Sequence, residues 1–96
     1  MTTSARTVGL LHPGEMGSAV GASMVGAGAR VVWASEGRGE PSRARARGLG
    51  LEDVESLAGV AARSDTLVSV VPPHAALAVA RAVAILGFRG LYVDAN

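Results

Sequence analysis

The sequence contains no cysteine and no lysine, and only 3% of its residues are aromatic. Without cysteine the chain can form neither a disulfide nor a thiolate metal site, which allows a reducing compartment. Because no run is long enough for a membrane span or a signal-peptide core, we expect a cytoplasmic protein. Without lysine, no lysine-dependent catalytic step can occur within these residues. Because aromatic side chains are few, small aliphatic residues must fill the interior, which favours helices packed closely on a sheet.

Long apolar runs and an excess of one charge are missing as well. The longest uncharged stretches, residues 16–29 and 66–80, are shorter than the roughly 18 to 20 residues that a membrane-spanning helix needs. Nine arginines against eight acidic residues give a formal net charge of +1, so no nucleic acid or membrane partner is expected. A chain of 96 residues suffices for one small domain, which we assign to residues 1–96.

Short apolar runs alternate with helical segments along the chain. Runs typical of buried strands occupy residues 7–11, 30–34, 66–71 and 91–93, with a short edge strand within 49–54. Helices are predicted over residues 15–27, 41–47, 57–63 and 73–86. Gly28 is expected to end the first helix, and Ser56 to cap the third. This alternation predicts an α/β fold with a parallel sheet of about five strands and right-handed crossovers.

A glycine-rich turn joins the first strand to the first helix. Free backbone N–H groups at Glu15, Met16 and Gly17 would point along the helix axis, where the helix dipole also favours an anion. The Gly-x-x-Gly spacing alone is weak evidence, because a chain this rich in glycine contains it about once or twice by chance. Its place between a strand and a helix favours a phosphate site. The alternative is a structural glycine turn. Along the helix, Gly17 and Gly21 share one face, which can settle against a sheet or a ligand.

Residues 8–17 (VGLLHPGEMG) resemble the N-terminal glycine fingerprint of the 6-phosphogluconate dehydrogenase and β-hydroxyacid dehydrogenase superfamily. Four later segments resemble further landmarks of that family, in the same order: GAG at 26–28, SDTLV at 64–68, VP at 71–72 and VD at 93–94. Together they are similar to a poorly characterised branch near the imine reductases. The resemblance covers nearly the whole chain but only the first part of a family member. It implies a Rossmann-type, doubly wound NAD(P)-binding domain followed by a helical domain for substrate and dimerisation.

His12 departs from this fingerprint, because it stands where the family has its first glycine. A residue before proline is expected in extended geometry rather than in a tight turn, and Pro13 also removes one backbone donor. We interpret His12 as a neutral imidazole that stabilises the turn; the alternatives are an acid-base group and an extra phosphate donor. His12 and His74 lack metal-ligand spacing, so no metal site is predicted.

The loop after the second strand bears on the choice between NADP and NAD. In this fold an acidic residue there binds the ribose 2'-hydroxyl of NAD, whereas serine and arginine accept the 2'-phosphate of NADP. The sequence offers both kinds of residue: Ser35 comes first, followed by Glu36 and Arg38. We favour NADP, with Glu36 turned away from the phosphate, and NAD is the alternative.

The other candidate residues follow the two later strands, where the resemblance implies the nicotinamide end of the cofactor. His74 either contacts the cofactor or simply begins a solvated helix, and Met16 packs either on the nicotinamide or in the core. The predicted cofactor-binding residues are therefore His12, Pro13, Gly14, Glu15, Met16, Gly17, Ser35, Glu36, Arg38, Val71, Pro72, Pro73, His74 and Asn96.

The resemblance implies the cofactor-binding part of an NAD(P)-dependent oxidoreductase that moves hydride to or from a small hydroxy acid, imine or related substrate. The family's catalytic lysine would follow residue 96, so no catalytic residue is predicted here, and we expect dinucleotide binding with little or no turnover. The alternatives are a non-catalytic nucleotide-binding or sensing module and an interaction domain with packing glycines. A continuation of the chain, or a second copy in a homo-oligomer, should cover the open sheet edge and the apolar helix 73–86.

Overall fold

The computed structural model describes residues 6–12 and 15–95. In this part of the chain, strands and helices alternate from end to end. The elements are β1 (Thr7–Leu11), α1 (Glu15–Gly26), β2 (Arg30–Trp33), α2 (Glu40–Gly48), β3 (Glu52–Asp53), α3 (Leu57–Arg63), β4 (Thr66–Ser69), α4 (Pro73–Ile85) and β5 (Leu91–Asp94).

The strands form one parallel sheet in the order β3-β2-β1-β4-β5. The central strand is β1, whose Gly9 lies in register with Val32 of β2 on one side and with Leu67 of β4 on the other. The predicted Rossmann-type, doubly wound α/β fold is therefore confirmed. The strand order reverses between β1 and β4, and in such sheets ligands bind at the carboxyl ends of the strands beside that reversal.

Two apolar cores lie on the two faces of the sheet. On the face of α1 and α2, the core is built around Trp33, which is 1% exposed, and Leu10. On the face of α3 and α4, it is built around Leu67 and Val60. Successive side chains of a strand point to opposite faces of the sheet, so Leu10 lies in the first core and Leu11 in the second. Both faces of the central strands are buried beyond their first residues, which explains why residues 8–11 and 31–33 are continuously apolar.

Helix α1 approaches the sheet closely because it carries glycine on its inner face. A Cβ atom at Gly17 would lie 2.5 Å from Val70 Cγ2, and one at Gly21 would lie 2.9 Å from Leu10 Cδ2. Neither distance leaves room for a side chain. The predicted packing row of glycines on this helix is confirmed.

The predicted helix signals hold, whereas three strands are shorter than predicted, and β2 is the least affected because it ends at Trp33, one residue early. Gly28 follows α1 with φ +92, and the Ser56 hydroxyl accepts a hydrogen bond from the Gly59 N–H at 3.0 Å. Strand β4 ends at Ser69 rather than at residue 71, because the partner strands in its two ladders, β1 and β5, end opposite it. Strand β3 keeps only two residues, since Leu49 still closes α2 and Gly50 turns with φ +78.

Across residues 6–12 and 15–95, no helix combines the length and the apolar character needed to cross a bilayer.

Candidate functional site

A cleft of about 260 Å³ opens where β1 and β2 end, against α3 and α4. Its walls are apolar and its rim carries three polar side chains. The lining residues are Leu10, Leu11, His12, Ala34, Glu36, Arg38, Leu57, Ala78, Val79 and Ala82. Apolar walls with a few convergent polar groups are typical of a small-molecule site.

His12 immediately follows β1 and has a φ of +55. The expectation of extended backbone before Pro13 is wrong at this residue, because a positive φ belongs to the left-handed region. Glycine adopts that region without steric cost, and histidine is one of the other residues enriched in it. The backbone therefore enters the turn with a φ typical of glycine, although the side chain is an imidazole.

The imidazole of His12 meets the guanidinium of Arg38 at the rim of the cleft. His12 Nδ1 lies 2.9 Å from Arg38 Nη1, and Arg38 Nη2 donates to the Ser42 hydroxyl at 3.3 Å. Burial, and then the charge of Arg38, lowers the pKa of His12 below its ordinary value of 6.5. This geometry supports the interpretation of His12 as a neutral imidazole.

The loop after β2 brings Glu36 and Arg38 to the cleft but turns Ser35 away from it. Ser35 is 4% exposed and does not line the cleft, and its N–H donates to Asp53 Oδ1 at 3.2 Å. Glu36 is exposed, and its N–H donates to the Glu55 carbonyl at 2.9 Å. The phosphate contact predicted for Ser35 thus has no support in this geometry. Arg38 reaches the cleft as its predicted role requires, whereas Glu36, which we expected to turn away, lines the same cleft.

The residues predicted after β4 lie across the strand reversal from the cleft. Val71 is buried, Pro72 precedes α4 as its N-cap, and Pro73 is the first residue of that helix. His74 is exposed in the first turn. This group does not line the cleft, so the structure places it apart from the three predicted residues at the rim, His12, Glu36 and Arg38.

The backbone of Glu15, Met16 and Gly17 forms the start of α1, as predicted. Three other predicted residues, Pro13, Gly14 and Asn96, lie outside the described residues. Of residues 6–12 and 15–95, no three histidine, cysteine, aspartate or glutamate side chains are grouped so that they could hold a metal ion.

Sequence reasoning missed the apolar wall of the cleft. Leu57 begins α3, and Ala78, Val79 and Ala82 lie on α4. The single charge within α4, at Arg81, marks one solvated position, but alanine and valine occupy most of the other positions. A pattern this uniform does not indicate which face of a helix meets a ligand.

Comparison with solved structures gives matches that include dehydrogenases and an imine reductase. A conserved protein of unknown function, described as structurally similar to 3-hydroxyacid dehydrogenases, superposes with a TM-score of 0.82 and 32% identity, over 92% of this chain and 33% of that one. The 3-hydroxyisobutyrate dehydrogenase of Mycobacterium tuberculosis, solved with L-serine, matches with a TM-score of 0.77 and 22% identity, over 95% of this chain and 31% of that one. An imine reductase variant from Myxococcus stipitatus, solved with NAD+, matches with a TM-score of 0.73 and 22% identity over the same shares.

The predicted resemblance to the β-hydroxyacid dehydrogenase superfamily is confirmed. The chain spans about a third of the length of these neighbours. No protein-family model matches the sequence, and no curated protein matches it with significance. Over nearly all of the present chain, the fold is shared with these three solved structures.

Proposed function

We propose that residues 1–96 form an NAD(P)-binding domain, the dinucleotide-binding part of an oxidoreductase of the β-hydroxyacid dehydrogenase type. One observation carries the proposal: a cleft rimmed by His12, Glu36 and Arg38 opens at the carboxyl ends of β1 and β2, in a sheet of order β3-β2-β1-β4-β5. This is the edge of the sheet at which doubly wound folds bind dinucleotides.

The chemistry of the cleft suits the adenosine half of such a cofactor. A flat, apolar base fits against Leu57, Val79 and Ala82, and the polar rim is available to ribose oxygens or to a phosphate. The diphosphate would then lie at the amino end of α1, where N–H groups lack partners within the helix. Gly17 is compatible with this placement, because without a side chain the start of α1 can stay close to Val70, the residue after β4.

When bound, a nicotinamide dinucleotide supplies hydride transfer. The residues of this chain bind and orient it: Arg38 and Glu36 at the adenosine end, and residues 71–74 with Asn96 at the nicotinamide end. No catalytic residue is assigned to the chain, and the substrate we propose is a small hydroxy acid, an imine or a related compound. The dehydrogenase and imine reductase folds among its neighbours support that substrate class.

We favour NADP over NAD because Arg38 reaches the rim of the cleft. A guanidinium binds a phosphate monoester through charge-assisted hydrogen bonds, which are roughly twice as strong as neutral ones. Glu36 at the same rim opposes this preference, since a carboxylate repels a phosphate and suits a ribose hydroxyl. The balance between these two side chains, rather than Ser35, is what we expect to decide the preference.

Titration of the full chain with NADPH and with NADH, followed by nicotinamide fluorescence, tests the proposal. We expect both coenzymes to bind, and NADPH to bind more tightly. The Arg38→Ala variant should lose about 10- to 100-fold in NADPH affinity, because a hydrogen bond to a charged group is worth about 1.5 to 3 kcal/mol, and it should change NADH affinity far less. Arg45→Ala is the matched control, because Arg45 is exposed on α2 and does not line the cleft. If neither coenzyme binds, the proposal is overturned.

A further inference from the structure

His12 and Arg38 are 26 residues apart in sequence and meet at the rim of the cleft. His12 belongs to the turn after β1, and Arg38 to the loop between β2 and α2. Their contact is a side-chain bridge between the two segments that flank the adenosine half of the proposed site. The turn after β1 requires a residue that tolerates a positive φ, which glycine does, so the presence of an imidazole at position 12 needs a separate explanation.

The contact fixes the protonation of the imidazole. Arginine keeps its charge in proteins and its guanidinium nitrogens only donate, so Nδ1 of His12 must be the acceptor in the 2.9 Å contact. A histidine whose Nδ1 accepts is neutral and carries its proton on Nε2. The lowered pKa of His12 agrees with this state.

The contact also fixes the guanidinium. Nη1 of Arg38 is held by His12, and Nη2 lies 3.3 Å from the Ser42 hydroxyl. The backbone N–H of Arg38 donates to the Ser35 carbonyl at 2.8 Å, which folds the loop so that the side chain can return toward β1. An arginine free in solution samples many rotamers, and immobilising such a side chain on binding costs affinity. The contacts with His12 and Ser42 restrict that freedom before a ligand arrives.

We propose that His12 is a positioning residue, whose neutral imidazole holds Arg38 at the cleft and thereby sets the preference for a 2'-phosphorylated dinucleotide. The inference rests on the proposed function. His12 need not touch the phosphate; it acts through Arg38. Histidine at the first fingerprint position then has a specific use: it tolerates the positive φ that the turn requires, and it adds a hydrogen-bond acceptor that glycine lacks.

Two substitutions of His12 distinguish the role of its side chain as a hydrogen-bond acceptor from the requirement for a positive φ at this residue. Glycine accepts a φ of +55 without strain but offers no side chain, so His12→Gly removes only the acceptor. Asparagine is also enriched at positive φ, and its Oδ1 can accept from Arg38, so His12→Asn is the conservative replacement. Thermal unfolding of both variants is the check that they remain folded.

The first readout is the nitrogen spectrum of the imidazole in the full chain without coenzyme. We expect His12 to be in the Nε2–H form at neutral pH, and Arg38→Ala to shift it toward a mixture of the two tautomers. An Nδ1–H form in the wild-type chain, or a spectrum that Arg38→Ala leaves unchanged, would contradict the pairing.

The second readout is the ratio of NADPH to NADH affinity. His12→Gly should lower this ratio by about 3- to 10-fold, whereas His12→Asn should keep it within about twofold of wild type. In an Arg38→Ala background, His12→Gly should have little further effect, because the two residues act through one contact. Equal ratios in the Gly and Asn variants would overturn the inference. If the wild-type chain binds neither coenzyme, the proposed function fails, and the imidazole spectrum then decides the His12–Arg38 pairing by itself.

Discussion

At the scale of single residues, Asp53 organises the end of β2. Its Oδ1 accepts hydrogen bonds from the Ser35 N–H at 3.2 Å and from the Glu55 N–H at 2.8 Å. Burial tends to raise the pKa of Asp53, but the hydrogen bonds from Ser35 and Glu55 outweigh it and lower that pKa from its ordinary 3.8. Asp53 thereby fixes the first residue of the loop that carries Glu36 and Arg38 to the cleft.

A Ser35→Asp substitution should therefore destabilise the fold instead of cleanly exchanging one coenzyme for the other. The new carboxylate would be buried beside Asp53, and two carboxylates at close range repel each other in a poorly solvated position. We expect the free energy of unfolding at neutral pH to fall by about 2 to 3 kcal/mol, measured by urea denaturation. Ser35→Asn, which adds similar bulk without charge, is the control and should cost about half as much. Equal losses in the two variants would mean that charge at this position is not the cause.

At the scale of elements, the packing of α1 depends on which of its glycines face the sheet. Gly17 and Gly21 meet Val70 and Leu10, whereas Gly26, in the last turn, has no neighbouring atom within 4 Å of where its Cβ would lie. Glycine thus allows close packing of α1 on its neighbours at residues 17 and 21, whereas at residue 26 its only effect is to lower helix propensity.

The Gly17→Ala and Gly26→Ala substitutions should have opposite effects on stability. A methyl group at residue 17 overlaps Val70, and overpacking of this kind costs about 1 to 3 kcal/mol, which exceeds the helix-propensity gain of about 1 kcal/mol. At residue 26 the gain is not opposed, so about 0.5 kcal/mol of stabilisation is expected. Urea denaturation of both variants measures the difference. A Gly17→Ala variant as stable as Gly26→Ala would show that the start of α1 is not held tightly against Val70.

Most elements could be predicted from the sequence, because each begins or ends at a local signal: the turn residues around β1, Gly28 after α1, and the Ser56 cap of α3. The end of β4 could not, because the ladder stops where β1 and β5 stop, which is a property of three strands together. The positive φ of His12 was missed because the rule for a residue before proline describes an average preference, and a turn can override it.

The candidate site was predictable in its polar rim and not in its apolar wall. His12, Glu36 and Arg38 follow strand ends, and the topology of a parallel sheet gathers such residues at one edge. The contact between His12 and Arg38 joins two loops and follows no local spacing rule. The burial of Ser35 likewise depends on Asp53, which comes from a neighbouring strand.

At the scale of the whole molecule, the described residues cover the centre of the sheet more completely than its β5 edge. Leu91 is 62% exposed and Val93 is 37% exposed, and Ile85 near the end of α4 is 85% exposed. Tyr92, between the two exposed strand residues, packs against the core on the α3 and α4 face. That a continuation of the chain or a second copy covers this region stays a prediction. Sedimentation of the full chain at increasing concentration measures self-association and so tests whether a second copy does.

Global stability should depend on pH in two separate steps. His12 has a lowered pKa in the folded chain, so the unfolded chain binds more protons, and the free energy of unfolding should fall as the pH drops below about 6.5 toward the folded pKa. Glu40 and Asp53 also have lowered pKa values, Glu40 chiefly through its hydrogen bond to Arg47. Their contributions should be lost at lower pH, beginning near the ordinary values of 4.5 and 3.8.

Urea denaturation across this range, with His12→Asn as the matched variant, separates the two steps. The upper step should be absent from that variant, because asparagine does not titrate, while the lower step should remain. An upper step that persists in His12→Asn would assign it to another group.

The most direct test of the central claim is the crystal structure of the full chain grown with saturating NADPH. We expect the diphosphate to lie against the backbone amides of Glu15–Gly17, and the adenosine to occupy the cleft with its 2'-phosphate on Arg38. A cleft that holds only solvent under these conditions, or a coenzyme bound at another surface, would contradict it.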